Sequence, residues 1–127
     1  MEKETIYGQV IGKSNNYMIG NSGESRHIIK NPQIREYESI FARQCKLYRD
    51  KRISGRFTLF VAVYQSSIRY DLDNSLKTVL DCLQMVNAIT NDSQCFKIVA
   101  EKRLDKVNPR VVFSIEETEP RQTELFR

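Results

Sequence analysis

Three carboxylates and a lysine stand close together in "RYDLDNSLKTVLDCL", residues 69–83. Asp71 and Asp73 are two residues apart, and carboxylates at that spacing repel one another unless a cation or hydrogen-bond donors separate them. Their hard oxygen atoms suit Mg²⁺ or Mn²⁺. An ordinary helix start, with an N-cap and an i to i+4 pair between Asp73 and Lys77, accounts for two of these residues without any function. The addition of Asp71 favours a divalent-metal site.

A third carboxylate, Asp92, follows in "ITNDSQCFKI". A loop between a helix and a strand could return Asp92 to the same end of a sheet as Asp71, which would complete the metal site. The same loop could equally be a solvated turn.

Two other motifs with a DxD opening fit poorly. A calcium loop that began at Asp71 would need Gly and Glu at its sixth and twelfth positions, where this chain has Leu76 and Cys82. An aspartyl-phosphate site would have Asp71 as its nucleophile and would include Ser75. It is disfavoured because a chain of this size lacks the series of βα units that such enzymes need.

The elements that would position these carboxylates can be predicted from hydrophobic periodicity. "FTLFVAVY", residues 57–64, is apolar or aromatic at both odd and even positions, which face opposite sides of a strand. This pattern predicts a central strand covered on both faces. From Asp73 to about Val86, apolar residues recur at helical spacing, and Asp73 is a natural N-cap. One polar strip of this helix carries Asp73, Lys77, Asp81 and Gln84.

The remaining pattern predicts a single α+β domain with a mixed sheet of about four strands and two helices, in the order β-α-β-α-β-β. Strands are predicted at 5–11, 57–64, 96–103 and 110–116, the last two as a hairpin. A first helix begins at Pro32 and carries Ile34, Tyr37, Phe41, Cys45 and Tyr48 on one stripe. The composition of residues 12–31 predicts that this segment forms a long basic loop. The domain is expected to span residues 1–118, with a C-terminal tail at 119–127.

The composition indicates a cytoplasmic protein with no membrane partner. Apolar residues make up 40% of the chain and charged residues 28%, without an apolar run long enough to span a membrane. The N-terminus does not show the residue pattern of a secretory signal peptide. Three cysteines without a CxxC pair predict reduced thiols. The net charge of +4 is compatible with a nucleic-acid partner without requiring one.

The ordered motifs resemble the RusA family of Holliday junction resolvases. "RYDLDNSLKTVLDCL", then "NDSQ", then "VAEKRL" are similar to that family's R-x-D-L-D-N-x-x-K-x-x-x-D-x-L, its D-D-x-Q and a later lysine. "KSNNYM" resembles an early family element, with Lys13 where proline is common. Asn91 stands where the family usually has the first aspartate of an acidic pair, which should weaken metal affinity or shift metal preference.

The resemblance implies a function and roles for individual residues. It implies a Mg²⁺-dependent endodeoxyribonuclease, with Mn²⁺ as a substitute, that acts on four-way DNA junctions as a homodimer in recombination and repair. The metal-binding catalytic carboxylates would be Asp71, Asp73 and Asp92, and Lys77 would be the catalytic lysine. Family members often have a prophage origin. Mg²⁺ held by carboxylates can activate water and relieve charge on the scissile phosphate.

Basic residues are expected to hold the DNA through its phosphates, and hence by shape more than by sequence. For each of them singly, an ordinary solvated charge is an alternative. The candidates are Lys13, Arg26, Lys30, Arg69 and Lys102, together with His27 and the cations of the first helix. His27, the only histidine, is not a credible general base on this pattern.

The C-terminal tail carries a second signal. Gln122, Leu125 and Phe126 in "QTELF" resemble the Q-x-x-L-F peptides that bind the bacterial sliding clamp. The alternative is a tail that packs on its own subunit or on its dimer mate.

The leading hypothesis from the sequence is a junction-resolving nuclease. One alternative is a structure-specific DNA-binding protein whose cleavage is impaired by Asn91, and another is a general flap or branched-DNA nuclease.

Overall fold

The computed structural model describes residues 2–12, 17–22, 25–30 and 32–118, with side chains for 2–12 and 32–118. Four of its strands form one sheet and two form a separate hairpin. The strands are β1 (Glu4–Tyr7), β2 (Tyr17–Ser22), β3 (Ser25–Lys30), β4 (Phe57–Gln65), β5 (Cys95–Leu104) and β6 (Arg110–Glu117). The helices are α1 (Pro32–Gln44) and α2 (Leu72–Met85), and a 3₁₀ turn covers Asp92–Gln94.

The main sheet is mixed, in the order β1-β6-β4-β5. β4 is parallel to β5 and antiparallel to β6, and β6 is also antiparallel to β1. The α+β class, the two helices and the mixed sheet of four strands are confirmed. Their order along the chain, β-α-β-α-β-β, is confirmed for the elements of this sheet.

β4 holds an interior position because it is the most apolar strand of the sheet. Phe57, Leu59 and Val63 have no exposed surface and form the core together with Val79 and Leu83 of α2. The predicted hairpin of residues 96–103 with 110–116 is wrong, because β5 and β6 lie on opposite sides of β4. Burying the most apolar strand between two neighbours covers more hydrophobic surface than a local hairpin would.

The helices begin and end close to their predicted bounds. Pro32 is the first residue of α1, where a missing N–H costs nothing, and Ile34, Tyr37 and Phe41 are buried. The predicted stripe continues in Cys45 and Tyr48, which are buried beyond the helix end. The cations beside that stripe, Arg35, Arg43, Lys46 and Arg49, are exposed as predicted.

The predicted long loop over residues 12–31 is wrong, because its described part forms the antiparallel hairpin β2–β3. The pairing runs from Tyr17 with Lys30 to Ser22 with Ser25. The turn residues of "GNSGES" and the lack of clear alternation in the flanking segments concealed these strands from the sequence pattern.

Cys45, Cys82 and Cys95 are free thiols in the structure. Their reduced state in the cell stays a prediction. No helix in the described part of the chain is long and apolar enough to cross a membrane. The tail at 119–127 lies outside the described residues.

Candidate active site

The acidic pair lies where the chain enters α2. Asp71 is the N-cap, with extended backbone angles of φ −84° and ψ 138°, and Asp73 lies in the first turn. The expectation that Asp73 is the N-cap is therefore wrong by two residues. The Asp71 carboxylate does not cap the helix. Instead, it accepts a hydrogen bond from Asn74 Nδ2 at 3.3 Å. Both acids are exposed, so their oxygen atoms are accessible to a ligand.

A row of buried polar groups fixes the backbone of Asp71. The Ser75 hydroxyl donates to the Asp71 carbonyl at 2.8 Å, and Gln65 Nε2 donates to the same hydroxyl oxygen at 2.8 Å. Gln65 is fully buried at the end of β4, so the row ties the start of α2 to the sheet. Sequence reasoning missed Gln65, and it considered Ser75 only as part of an aspartyl-phosphate site. The signal was a polar residue directly after the apolar run of β4.

The loop between β4 and α2 is supported on two sides. Gln9 Oε1 accepts from the backbone N–H of Ser66 at 2.8 Å. The Lys102 ammonium of β5 donates to the Ile68 carbonyl at 2.7 Å. Lys102 thus contacts the loop that carries Asp71, and its predicted contact with DNA stays a prediction.

A polar cleft of about 240 Å³ opens beside Asp71. Its lining includes Arg69, Tyr70 and Asn74 together with Ile11 and Gly12. Thr78 Oγ1 donates to the Ile11 carbonyl at 2.5 Å, which holds this segment against α2. A Cβ at Gly12 would lie 3.0 Å from Asn74 Cβ, so the backbone approaches the helix closely here. Gly12, after which the description of the chain is interrupted, therefore lies beside the start of α2.

The predicted DNA-binding residues fall into two groups. Arg69 is exposed at the cleft, and Lys102 is half-buried. Arg26, His27 and Lys30 belong to β3, whose side chains are outside the description, and Lys13 lies outside the described residues.

Lys77 is exposed one helical turn after Asp73, so an ammonium and a carboxylate share the outward strip of α2. Asp81 and Gln84 continue this strip toward the end of the helix. The polar edge predicted from the sequence is therefore present.

Asp92 lies at the opposite end of α2 from Asp71 and Asp73. Its backbone N–H donates to Gln84 Oε1 at 3.0 Å, and Gln84 is next to the last residue of the helix. Eleven residues separate Gln84 from Asp73, a rise of about 16 Å along the axis. Among the described residues, no group of three acidic, histidine or cysteine side chains could hold a metal ion. The expected return of Asp92 to the acidic pair within one chain does not occur.

Asn91 has a structural part in this turn. Its side chain accepts from the Ser93 N–H at 2.8 Å, and the Gln94 side chain accepts from the Asn91 N–H at 2.8 Å. This reciprocal capping box fixes the 3₁₀ turn, so Asp92 is held by a rigid frame. Burial raises the pKa of the neighbouring Cys95 thiol, and the charge of Asp92 adds to that rise.

The donor set fits a divalent cation in part. Mg²⁺ is commonly bound through one or two carboxylates, with water and substrate phosphates in the remaining positions. Asp71 and Asp73 provide such a pair within one chain, and Asp92 of that chain does not add a third ligand.

Comparison with known families agrees with this arrangement of motifs. The family model of endodeoxyribonuclease RusA matches residues 8–116 of the 127-residue chain. This chain belongs to the RusA family. None of the curated proteins compared with the chain matches it.

The RusA family is a family of endodeoxyribonucleases, so membership assigns this chain to the DNA-cleaving hydrolases. The matched region contains β4, α2 and β5, and hence both ends of the polar edge. The RusA match ends before the C-terminal tail, so it carries no information on the clamp-binding motif.

Proposed function

We propose that this protein is a Mg²⁺-dependent endonuclease that resolves four-way DNA junctions by paired symmetric nicks, in recombination and repair. The observation that carries the proposal is the exposed pair Asp71 and Asp73 at the start of α2, with Lys77 one turn along, in a chain of the RusA family. Mn²⁺ would substitute for Mg²⁺, since both prefer oxygen ligands.

The protein residues position the reaction. When bound, the metal supplies an activated water and neutralises charge on the scissile phosphate. The Gln65, Ser75 and Asp71 row holds the acidic pair in place, which limits the reorganisation needed during catalysis. Lys77 offers a point charge to a non-bridging phosphate oxygen.

DNA is proposed to approach over the cleft beside Asp71. Arg69 lines that cleft and is exposed, and Gly12, which precedes the basic residues 13–31 in the sequence, also lines it. Cations around an acidic centre offset its repulsion of phosphates and contribute binding that depends on salt.

The proposed assembly is a homodimer, because two matching nicks on opposed strands of a four-way junction need two active sites related by two-fold symmetry. Contact of Gln122, Leu125 and Phe126 with a bacterial sliding clamp is also proposed. It rests on the sequence motif alone.

The deciding experiment is nicking of a synthetic four-way junction with Mg²⁺, with linear duplex and flap DNA as controls. Asp73→Asn should lower the nicking rate at least ~100-fold while junction binding persists. Asp50→Asn is the matched control, because Asp50 is exposed and its φ of 60° suits asparagine. Full nicking by Asp73→Asn would show that the metal-site assignment is wrong, and efficient nicking of flaps would favour a general branched-DNA nuclease.

A structure-specific DNA-binding protein with weak cleavage is the second candidate. The observation that favours it is Asn91, an uncharged residue that caps the turn where the family usually has an aspartate. Junction binding by the wild-type protein without nicks in Mg²⁺ or Mn²⁺ would support this candidate.

A further inference from the structure

The cleft beside Asp71 has a lining unlike that of a cofactor pocket. Of the eight described residues that line it, Ile11 alone has an aliphatic side chain. The other side chains are one aromatic ring, two amides, one hydroxyl, one guanidinium and one carboxylate, and the eighth residue is a glycine. Pockets for small organic cofactors are mostly hydrophobic and larger than this cleft. The cleft therefore suits a small, flat group with polar edges.

The size of the cleft matches a single nucleobase. Its volume of about 240 Å³ corresponds to about eight water molecules at liquid density, and a pyrimidine base has about as many heavy atoms. A base pair is too large to enter, and a base that stays stacked within a duplex is held between its neighbours. A base must therefore leave the stack to occupy the cleft, as it does in enzymes that extrude a nucleotide into a pocket.

Two accessible side chains of the cleft suit the face and the edge of a base. Tyr70 is half-buried, so part of its ring stays accessible. An aromatic ring can stack on a base of any type. Gln33, in the first turn of α1, is exposed and also lines the cleft. An amide carries both a donor and an acceptor for the polar edge of a base, so Tyr70 would supply affinity and Gln33 selectivity.

The rest of the wall is formed before any ligand binds. Asn74 is 9% exposed, and its Nδ2 donates to Asp71 Oδ2 at 3.3 Å. The buried Ser75 hydroxyl lies between Gln65 Nε2 and the Asp71 carbonyl, at 2.8 Å from each. The backbone of Gly12 lies against Asn74, because a Cβ there would be 3.0 Å from Asn74 Cβ. Little of this wall has to be ordered on binding, which favours recognition of a small group.

The cleft adjoins the acidic pair. Asp71 lines the cleft and is also one of the two carboxylates proposed to bind the metal. Successive nucleotides of one strand are only about 3.4 Å apart along a duplex, so a base in the cleft would belong to a nucleotide next to the scissile phosphate. Arg69 is exposed at the same cleft, where its guanidinium could hold a phosphate of that nucleotide.

We propose that the cleft takes up one unstacked nucleobase beside the scissile phosphate, with Tyr70 stacked on the base and Gln33 bonded to its edge. The inference rests on the proposed function for the presence of DNA at this face. It goes beyond that function by naming the chemical group that the cleft recognises. It also gives a reason for structure selectivity, because extruding a base costs least where stacking is already interrupted, as at the crossover of a four-way junction.

The stacking contact is tested by binding to a synthetic four-way junction in EDTA, where nicking does not disturb the equilibrium. Tyr70→Ala should weaken the junction affinity about 10-fold, and Tyr70→Phe should bind as the wild type does because the ring remains. Tyr7→Ala is the matched control, since Tyr7 is 52% exposed and lies outside the cleft lining. It should leave the junction affinity unchanged within about 2-fold.

An abasic nucleotide, placed in turn at each position near the crossover, decides whether Tyr70 contacts a base. At the position whose base enters the cleft, Tyr70→Ala should weaken binding less than ~2-fold, because the base that it stacks on is already gone. The loss should stay about 10-fold at the other positions. An equal loss at every abasic position, or an unchanged affinity of Tyr70→Ala for the intact junction, would overturn the inference.

A second variant keeps the test independent of the folding of Tyr70→Ala. Junctions that differ only in the base at each position near the crossover should bind the wild type with affinities that spread at least ~10-fold at one position. Gln33→Ala should reduce that spread below ~3-fold. An equal spread for both proteins, or no spread for the wild type at any position, would overturn the assignment of the cleft.

These binding measurements need no cleavage, so they separate this inference from the proposed function. If the coupling between Tyr70 and one base is found but the wild type does not nick the junction in Mg²⁺ or Mn²⁺, the base site stands and the nuclease proposal fails. If the wild type nicks the junction and no abasic position changes the effect of Tyr70→Ala, the nuclease proposal stands and the base site fails.

Discussion

Glu4→Gln should destabilise the fold, because the buried Glu4 carboxylate organises the chain where α1 ends. Glu4 Oε2 accepts from the backbone N–H groups of Lys46 at 2.6 Å and Leu47 at 3.0 Å. Its Oε1 accepts from the Tyr48 N–H at 3.1 Å and from the Cys45 thiol at 3.3 Å. Glu4 is 8% exposed, so water cannot replace these partners freely.

The magnitude follows from these contacts. Glutamine keeps one acceptor oxygen, which can serve Lys46 and Leu47, but its NH₂ group then faces the Tyr48 N–H. An unpaired buried N–H costs about 1–3 kcal/mol, and the two retained bonds lose their charge assistance. We expect a loss of about 3 kcal/mol in the free energy of unfolding, and a fall of about 10 °C in Tm for a chain of this length.

The pH dependence of this loss has a defined sign. Burial raises the pKa of Glu4, but the bonds from Leu47, Lys46, Tyr48 and Cys45 outweigh burial and leave the pKa below its ordinary value of 4.5. A carboxylate with a lowered pKa stabilises the fold above that ordinary value and ceases to do so as the pH falls through the folded pKa. The difference between wild type and Glu4→Gln should therefore shrink as the pH falls below 4.5.

Urea unfolding followed by circular dichroism at pH 7 and in acid measures the effect. Glu2→Gln is the matched control, because the Glu2 side chain is exposed, and among the described residues Glu2 contributes only its backbone carbonyl, which accepts from the Tyr48 hydroxyl. The control should change the unfolding free energy by less than ~0.5 kcal/mol. A loss below ~1 kcal/mol for Glu4→Gln at pH 7, or a loss undiminished in acid, would refute the reasoning.

Three further predictions concern function. Lys102→Met should lower the rate of junction nicking up to ~10-fold without weakening junction binding, because the Lys102 ammonium donates to the Ile68 carbonyl in the loop before α2. A fall in junction affinity, with the dependence of log affinity on log salt concentration reduced by about one, would indicate a phosphate contact instead. Chelation by EDTA should stop nicking, added Mg²⁺ or Mn²⁺ should restore it, and nicking that persists in EDTA would contradict the metal requirement. A peptide of residues 116–127 should bind a bacterial sliding clamp in calorimetry and lose binding when Leu125 and Phe126 are replaced by Ala, whereas no binding at high micromolar concentration would remove the clamp proposal.

The sequence correctly predicted those elements whose apolar pattern lies within one short segment of the chain. "FTLFVAVY" is apolar at odd and even positions, and it forms a central strand as predicted. The predicted cover on both faces is only partly present, because Leu59, Val61 and Val63 are buried whereas Phe60, Ala62 and Tyr64 on the other face are partly exposed. Helix α1 begins at Pro32 and α2 begins within one residue of its predicted start. The acids at the start of α2 could be located because their position follows directly from the end of β4 and the onset of the helical stripe.

The features that were missed depend on pairing between distant segments. Residues 12–31 formed no clear alternation, so the β2–β3 hairpin was hidden in a segment of turn-forming residues. β6 was assigned to β5 because the two are adjacent in sequence, yet it pairs with β4. In that arrangement β4 has a paired strand at each of its two edges, and no local pattern reports such pairing.

The position of Asp92 is a different case, since the predicted elements already determined it. Once β4 and β5 are parallel, the helix between them must reverse, and a residue before the helix lies far from a residue after it. The motif is therefore continuous in sequence and divided in space.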